Sequence, residues 1–160
     1  MTEPILDVVN FSHICIAVSD MERSLRWYRD VFGVEVVFDV ELAGAALETV
    51  TGEEGAAGRM VGMRVPGSGV VVELLDFGRG PVVARPPAAP TGYSNISLTV
   101  PDVDAARVAL EAAGERPGPV AEFDGVRMLF LTDPDHTPIE VVEYPFGATS
   151  NLEYQHAKPS

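Results

Sequence analysis

Four polar side chains stand at matching places in two copies of one sequence pattern. The segment FSHICIAVSD contains His13, and the segment YSNISLTVPD, which aligns with it without a gap, has Asn95 at the matching position. Each copy later contains an apolar stretch interrupted by one glutamate, Glu73 in the first copy and Glu140 in the second. An imidazole, an amide and two carboxylates can bind a divalent cation, and a carboxylate can also act as a general base. The pattern therefore predicts metal-assisted proton-transfer chemistry.

The candidate ligands share their strand faces with other side chains, because side chains alternate between the two faces of a strand. Polar groups on an inward face cost free energy unless something satisfies them, and one divalent cation would satisfy all four candidates. Residues two positions away along each strand are expected on the same face as the ligands. The predicted pocket-lining residues are Cys15, Ser97, Val71, Leu75 and Val142.

The repeat predicts two tandem modules, each with the order strand, helix and three strands (βαβββ). The first module is expected at residues 9–77 and the second at residues 93–145. Residues 78–92, which are rich in proline and glycine, are predicted to be a linker, and residues 146–160 a polar tail without a pattern of its own. The predicted fold class is therefore α+β, with the two modules fused into one domain.

Local sequence signals predict where the helices of these modules begin and where one long loop lies. Ser19 and Glu22 have the spacing of a capping box, with Asp20 adding negative charge to the first helical turn. The helix of the second module is predicted to begin at Asp102. Residues 41–58 have no hydrophobic period and are predicted to be a long loop with one helical turn. Because unequal loops on equal scaffolds often carry specificity, this loop is expected to overhang the pocket.

Length and composition exclude several classes of protein. A chain of 160 residues can bury one sizeable core, and its net charge of −13 opposes binding to nucleic acid. Cys15 is the only cysteine, so no internal disulfide can form, and the first residues lack a signal-peptide pattern. No apolar run approaches the ~20 residues that span a bilayer. These features predict a cytoplasmic protein without a membrane partner.

Several segments of the chain together carry a resemblance to a known family. They are the two strand-to-helix starts, His13 to Asp20 and Asn95 to Asp102, with the helix SLRWYRDVFG, the segment VELL around Glu73 and the segment DPDHTPIE that ends at Glu140. They resemble the vicinal oxygen chelate superfamily, also called the glyoxalase/bleomycin resistance/dioxygenase family. Within this family, the chain most resembles the members that are similar to glyoxalase I and methylmalonyl-CoA epimerase. The resemblance implies that the two modules form a curved mixed sheet around a central cavity.

The resemblance also implies a set of metal ligands, at His13, Glu73, Asn95 and Glu140. Asn95 departs from the family pattern, which usually has histidine at this position, and His136 stands where the family usually has a glycine. One nitrogen and three oxygens favour Mn, Mg, Fe or Ni in an octahedral site over tetrahedral Zn. Because an amide binds metal more weakly than an imidazole does, a chain that binds no metal remains an alternative. The expected cofactor is thus a divalent metal ion, which is Mn, Mg, Fe, Ni or Zn. The alternative is that the chain has no cofactor.

Three functions follow from this resemblance. The first is a metal-dependent lyase, isomerase or epimerase that acts on a small carbonyl-containing substrate through an enediolate-type intermediate. Glu140 is the first choice for its catalytic base and Glu73 the second. The alternative is a metal-free protein that binds a small molecule such as a drug or metabolite. The third, an Fe(II) extradiol dioxygenase, is disfavoured because its iron needs two histidines, and only His13 falls at a ligand position.

The resemblance also predicts how the chain assembles. A homodimer is expected, in which the modules pair either within one chain or across two chains. The tail is expected near the partner subunit through Tyr154 and His156. On this hypothesis, deletion of residues 146–160 weakens the dimer more than it weakens the fold.

Overall fold

The computed structural model of the protein describes residues 12–79 and 95–157. The predicted linker lies almost entirely outside these described residues. The chain divides into two compact units, Met1–Val82 and Val83–Ser160, and each is described by itself. Within the described residues, none of the helices is long and apolar enough to cross a membrane.

The first unit contains four strands and two helices. In chain order these are β1 (His13–Ala17), α1 (Met21–Phe32), β2 (Glu35–Ala43), α2 (Ala45–Thr51), β3 (Ala57–Arg64) and β4 (Val71–Asp76). The strands form one sheet in the order β1-β4-β3-β2. The β1–β4 pair is parallel and the other two pairs are antiparallel.

The second unit repeats the strand arrangement and first helix of the first unit, has no counterpart of α2, and adds a C-terminal helix. Its elements are β5 (Ile96–Thr99), α3 (Val103–Ala112), β6 (Ala121–Phe123), β7 (Val126–Thr132), β8 (Pro138–Glu143), a 3₁₀ turn (Pro145–Gly147) and α4 (Asn151–Ala157). The sheet order is β5-β8-β7-β6, with β5 and β8 parallel. The predicted α+β class and the tandem βαβββ order are therefore confirmed.

Each unit buries one face of its sheet and one side of its first helix. In the first unit the buried set is Ile16, Val61, Met63, Val72 and Leu74 with Met21, Leu25 and Tyr28 of α1. In the second it is Ile96, Leu129, Leu131, Ile139 and Val141 with Val103 and Leu110 of α3. Because side chains alternate along a strand, the candidate site residues between these positions lie on the opposite sheet face.

The helix starts differ in one detail from the predicted capping box. The N-cap of α1 is Asp20, whose carboxylate accepts the backbone N–H of Arg23 at 3.0 Å. Ser19, the predicted cap, instead accepts a hydrogen bond from the guanidinium of Arg23 at 2.9 Å. Asp102 caps α3 in the same way as Asp20 caps α1. Both residues are extended and followed directly by helix, which places the carboxylate where the free N–H groups point.

The prediction of a long loop at residues 41–58 was wrong. Strand β2 continues to Ala43, α2 fills residues 45–51, and β3 already begins at Ala57. Glycines bracket α2, since Gly44 precedes it and Gly52 ends it, both at positive φ. The short helix escapes a periodicity analysis because it has no buried residue and therefore needs no apolar face.

The C-terminal segment packs on its own unit, and its predicted position near a partner subunit stays a prediction. Tyr154 of α4 is only 4% exposed, and its ring stacks on Tyr144 with a centroid distance of 5.8 Å. Its hydroxyl donates to the backbone carbonyl of Asp124 at 2.8 Å. The hydroxyl of Thr99 donates to the carbonyl of Thr149 at 2.9 Å, which ties the segment to β5. The tail is thus a structural part of the second unit.

The turn before β8 contains His136, at the position where the resemblance predicts a glycine. His136 has a φ of 65°, in the left-handed region where glycine is favoured. The turn is held by the buried carboxylate of Asp133, which accepts the backbone N–H groups of Asp135 at 2.9 Å and Thr137 at 2.7 Å. These hydrogen bonds offset the backbone cost of a side chain at this position.

Candidate functional site

Three potential ligands meet on the open face of the first sheet. His13 and Cys15 lie two residues apart on β1, and Glu73 lies on the neighbouring strand β4. The parallel register places Cys15 directly beside Glu73. The sheet therefore positions all three side chains through backbone pairing alone.

The contacts within this cluster converge on one carboxylate oxygen. Nε2 of His13 lies 3.6 Å from Oε2 of Glu73, and Sγ of Cys15 donates to the same oxygen at 3.4 Å. One ligand atom from each residue fits within a mutual distance of 4.8 Å. Glu73 is only 8% exposed, whereas the side chain of His13 is 42% exposed. A buried carboxylate thus faces an accessible imidazole and a thiol.

Two further contacts concern the second ring nitrogen of His13 and the protonation of the Cys15 thiol. The hydroxyl of Ser12 lies 2.8 Å from Nδ1 of His13, so the two ring nitrogens contact different partners. Partial burial raises the pKa of the Cys15 thiol, and its hydrogen bond to Glu73 and the charge of Glu73 raise that pKa further. Without a cation, the thiol is therefore a proton donor to the carboxylate.

The aromatic ring beside this cluster was missed by the sequence analysis. Gly62 of β3 pairs with Glu73 on one side and with Phe38 of β2 on the other. A Cβ at Gly62 would lie 2.2 Å from a ring carbon of Phe38, so the ring occupies the space above the glycine. A glycine inside a strand is the signal that could have revealed this close approach.

The second unit carries the matching pair. Nδ2 of Asn95 donates to Oε2 of Glu140 at 3.2 Å, and Glu140 of β8 is half-buried. Ser97 stands beside Glu140 in the parallel register, as Cys15 stands beside Glu73. The amide and the carboxylate therefore meet through the same backbone pairing as the first cluster.

An aromatic residue also lies near this second pair. Glu140 pairs on its other side with Phe130 of β7, which is 46% exposed. Burial raises the pKa of the Tyr144 hydroxyl, and the negative charge of Glu140 raises it further. The sequence analysis missed Tyr144, although it lies two residues beyond Val142 in the same alternation.

The predicted site residues thus fall into two groups, one in each unit. His13, Cys15 and Glu73 form the first, and Asn95 and Glu140 form the second. The predicted pocket-lining residues differ in exposure: Ser97 is exposed, Val71 and Leu75 are half-buried, and Val142 is 2% exposed. Their role in lining a pocket stays a prediction.

The first cluster has the donor set and spacing of a divalent-metal site. Imidazole nitrogen, carboxylate oxygen and thiolate sulfur all bind such ions at about 2.0–2.3 Å. Two ligands at those bond lengths and a tetrahedral angle lie about 3.5 Å apart. Two of the three separations, 3.4 Å from Cys15 to Glu73 and 3.6 Å from His13 to Glu73, are close to that value, and all three ligand atoms lie within 4.8 Å of one another. The second pair offers oxygen atoms, which suit harder cations.

Comparison with known proteins gives a family match over most of the chain. Residues 10–141 match the family model described as the Glyoxalase/Bleomycin resistance protein/Dioxygenase superfamily. A curated relative, the lactoylglutathione lyase of Schizosaccharomyces pombe (strain 972 / ATCC 24843), is 26% identical over 165 aligned positions. The match covers 94% of this chain and 54% of that enzyme, so the chain spans about half the length of this relative.

Solved structures share the fold at low sequence identity. A glyoxalase family protein from Bacillus cereus matches with a TM-score of 0.73 and 20% identity, covering 89% of this chain and 98% of that one. A mutant of the fosfomycin resistance protein FosX from Listeria monocytogenes matches with a TM-score of 0.61 and 16% identity, covering 95% of this chain and 100% of that one. That FosX structure is a complex with Mn(II) and 1S,2S-dihydroxypropylphosphonic acid.

Proposed function

Because the chain belongs to the glyoxalase/bleomycin resistance protein/dioxygenase superfamily, we propose that it is a divalent-metal-dependent lyase, isomerase or epimerase. Its substrate is a small molecule with a carbonyl group. The observation that carries this proposal is the contact between His13 and the buried carboxylate of Glu73 at the ligand positions of the first unit. The relative named a lactoylglutathione lyase supports the reaction class.

Each of the four ligand-position residues has a proposed role. His13 and Glu73 hold the cation, and Asn95 and Glu140 contribute the oxygens of the second pair. A divalent ion bound there supplies Lewis acidity, which lowers the pKa of the proton next to a substrate carbonyl. In the described contacts, Glu73 meets both His13 and Cys15, whereas Glu140 meets a neutral amide.

Glu140 is the proposed base and Glu73 the second choice. The hydrogen bond from Asn95 fixes one oxygen of Glu140, so that the carboxylate has a defined orientation when it removes the proton. The reaction then proceeds through an enediolate-type intermediate.

Solvent hydrogen exchange tests this function without knowledge of the physiological substrate. In D₂O, α-hydroxycarbonyl compounds and lactoylglutathione should exchange the hydrogen next to the carbonyl, as followed by proton NMR. Chelation should stop the exchange, and added Mn²⁺ or Zn²⁺ should restore it. Glu140→Gln should slow the exchange by at least about 100-fold with metal still bound, since a general base contributes about that factor or more. Exchange that persists in the metal-free protein would refute the proposal.

A metal-free small-molecule binding protein is the second candidate function. The observation that favours it is the hydrogen bond between Asn95 and Glu140, which gives both polar groups a partner without any ion. In this case a small molecule would bind through the aromatic and apolar side chains beside these residues, and purified protein would retain no metal.

Replacing Asn95 with histidine distinguishes the two candidates. We expect Asn95→His to keep the fold and to tighten binding of Zn²⁺ or Ni²⁺ by about 10-fold or more, because imidazole is a better ligand than an amide for these ions. Calorimetric titration of the wild type and the variant measures the change. If neither protein binds these ions, the metal-free function is favoured instead.

A further inference from the structure

The thiol of Cys15 has no part in the proposed proton transfer, yet it lies within the first ligand cluster. Its sulfur is 3.4 Å from the oxygen of Glu73 that also faces His13. The residue is exposed, so it is not a small apolar residue that fills the core. Its position beside a candidate ligand calls for a chemical role.

We propose that Cys15 is itself a metal ligand, so that the first unit binds a thiophilic divalent ion such as Zn²⁺ or Co²⁺ through His13, Cys15 and Glu73. This inference rests on the proposed metal function and deepens it by identifying the class of metal. The thiol loses its proton to solvent when the sulfur coordinates the ion.

The backbone supports this ligand set with little movement. His13 and Cys15 are two residues apart on β1 and therefore project from the same sheet face. The parallel pairing holds Glu73 next to Cys15. The separations of 3.4 and 3.6 Å are close to the value of about 3.5 Å for ligands that share one tetrahedral ion. One ligand atom from each of the three residues already lies within 4.8 Å of the other two.

The chemistry of the trio differs from that of the four ligands predicted from the sequence. One imidazole and three oxygens favour Mn²⁺ or Mg²⁺, whereas a thiolate shifts the preference toward softer ions. The second unit offers no thiolate that would favour softer ions, because Ser97 lies beside Glu140 where the first unit has Cys15 beside Glu73. Two anionic ligands also neutralise the charge of the ion within the first unit.

Cobalt spectroscopy tests this proposal on the chain of 160 residues. Co²⁺ bound by a thiolate shows an intense sulfur-to-metal charge-transfer band in the near ultraviolet. Because Cys15 is the only cysteine in the chain, such a band can come only from its thiolate. We expect the band in the wild type and its loss in Cys15→Ser, with Zn²⁺ affinity reduced by at least about 10-fold, as for loss of a ligand. Ser97→Ala is the matched control in the second unit and should keep the band.

Metal content measured in parallel separates this inference from the proposed function. If Co²⁺ is bound without the charge-transfer band, Cys15 is not a ligand, although the metal function stands. If no Co²⁺ is bound, both proposals fail. A band that persists in Cys15→Ser would also overturn the inference. The wild-type spectrum decides the question even if Cys15→Ser does not fold, and Cys15→Ala provides a second variant.

Discussion

Replacing Glu73 with glutamine is expected to reduce metal affinity by at least about 100-fold and to leave the protein inactive in the hydrogen-exchange assay. Glu73 meets both His13 and Cys15, so it is the centre of the first cluster. Even residues that only support a metal ligand contribute about 10- to 100-fold to metal affinity, and a direct ligand contributes more. Glutamine keeps the shape of the side chain but removes the anionic charge. Calorimetric titration with Zn²⁺ and Mn²⁺ measures the change.

Two further variants test whether the loss of metal affinity is specific to the ligand residues. His13→Ala should lower metal affinity by at least about 10-fold, because it removes the imidazole ligand. Glu41→Gln removes a carboxylate from an exposed position on β2 of the same unit and should leave metal affinity unchanged. Equal affinities in the wild type and Glu73→Gln would mean that this cluster does not bind the ion.

Replacing Tyr154 with alanine is expected to lower the free energy of unfolding by about 3 kcal/mol, as for other large buried aromatic residues. The ring is 4% exposed and stacked on Tyr144, and its hydroxyl donates to the carbonyl of Asp124. Tyr154→Phe should cost only about 1 kcal/mol, since it removes the hydrogen bond but keeps the ring. Denaturant titration followed by circular dichroism measures both effects.

The same helix supplies a matched control for this prediction. Leu152 is 68% exposed, so Leu152→Ala should change stability by less than about 0.5 kcal/mol. Light scattering on each variant tests whether the chain forms the predicted homodimer. A Tyr154→Ala protein that keeps wild-type stability but loses a dimer would contradict this structural role and would support the prediction that the tail lies near the partner subunit.

The strands and the first helix of each unit could be predicted because their signals are local and repeated, whereas α2 and α4 were not predicted. His13 and Cys15 are two residues apart on a strand and therefore share one face. An aspartate before an amphipathic segment marks the helix starts at Asp20 and Asp102. The repeat then assigns Glu73 to the same strand position as Glu140. Local patterns of this kind depend only on the geometry of one strand or helix.

Other features depend on contacts between distant parts of the chain and could not be read from local patterns. The ring of Phe38 lies over Gly62 because of the register between β2 and β3, and no spacing in the sequence encodes that register. Tyr154 is held by stacking on Tyr144 and by hydrogen bonds to Asp124, and its helix is too short for a clear hydrophobic period. The hydrogen bond from Cys15 likewise follows from strand pairing.

The metal content of the purified chain tests the central claim most directly. After chelation, reloading with Zn²⁺, Co²⁺ or Mn²⁺ and gel filtration, mass spectrometry should find about one divalent ion per chain, as expected for a single catalytic metal. The Glu73→Gln protein, handled in parallel, should retain almost none. A wild-type chain that retains no more metal than the Glu73→Gln protein would contradict the account.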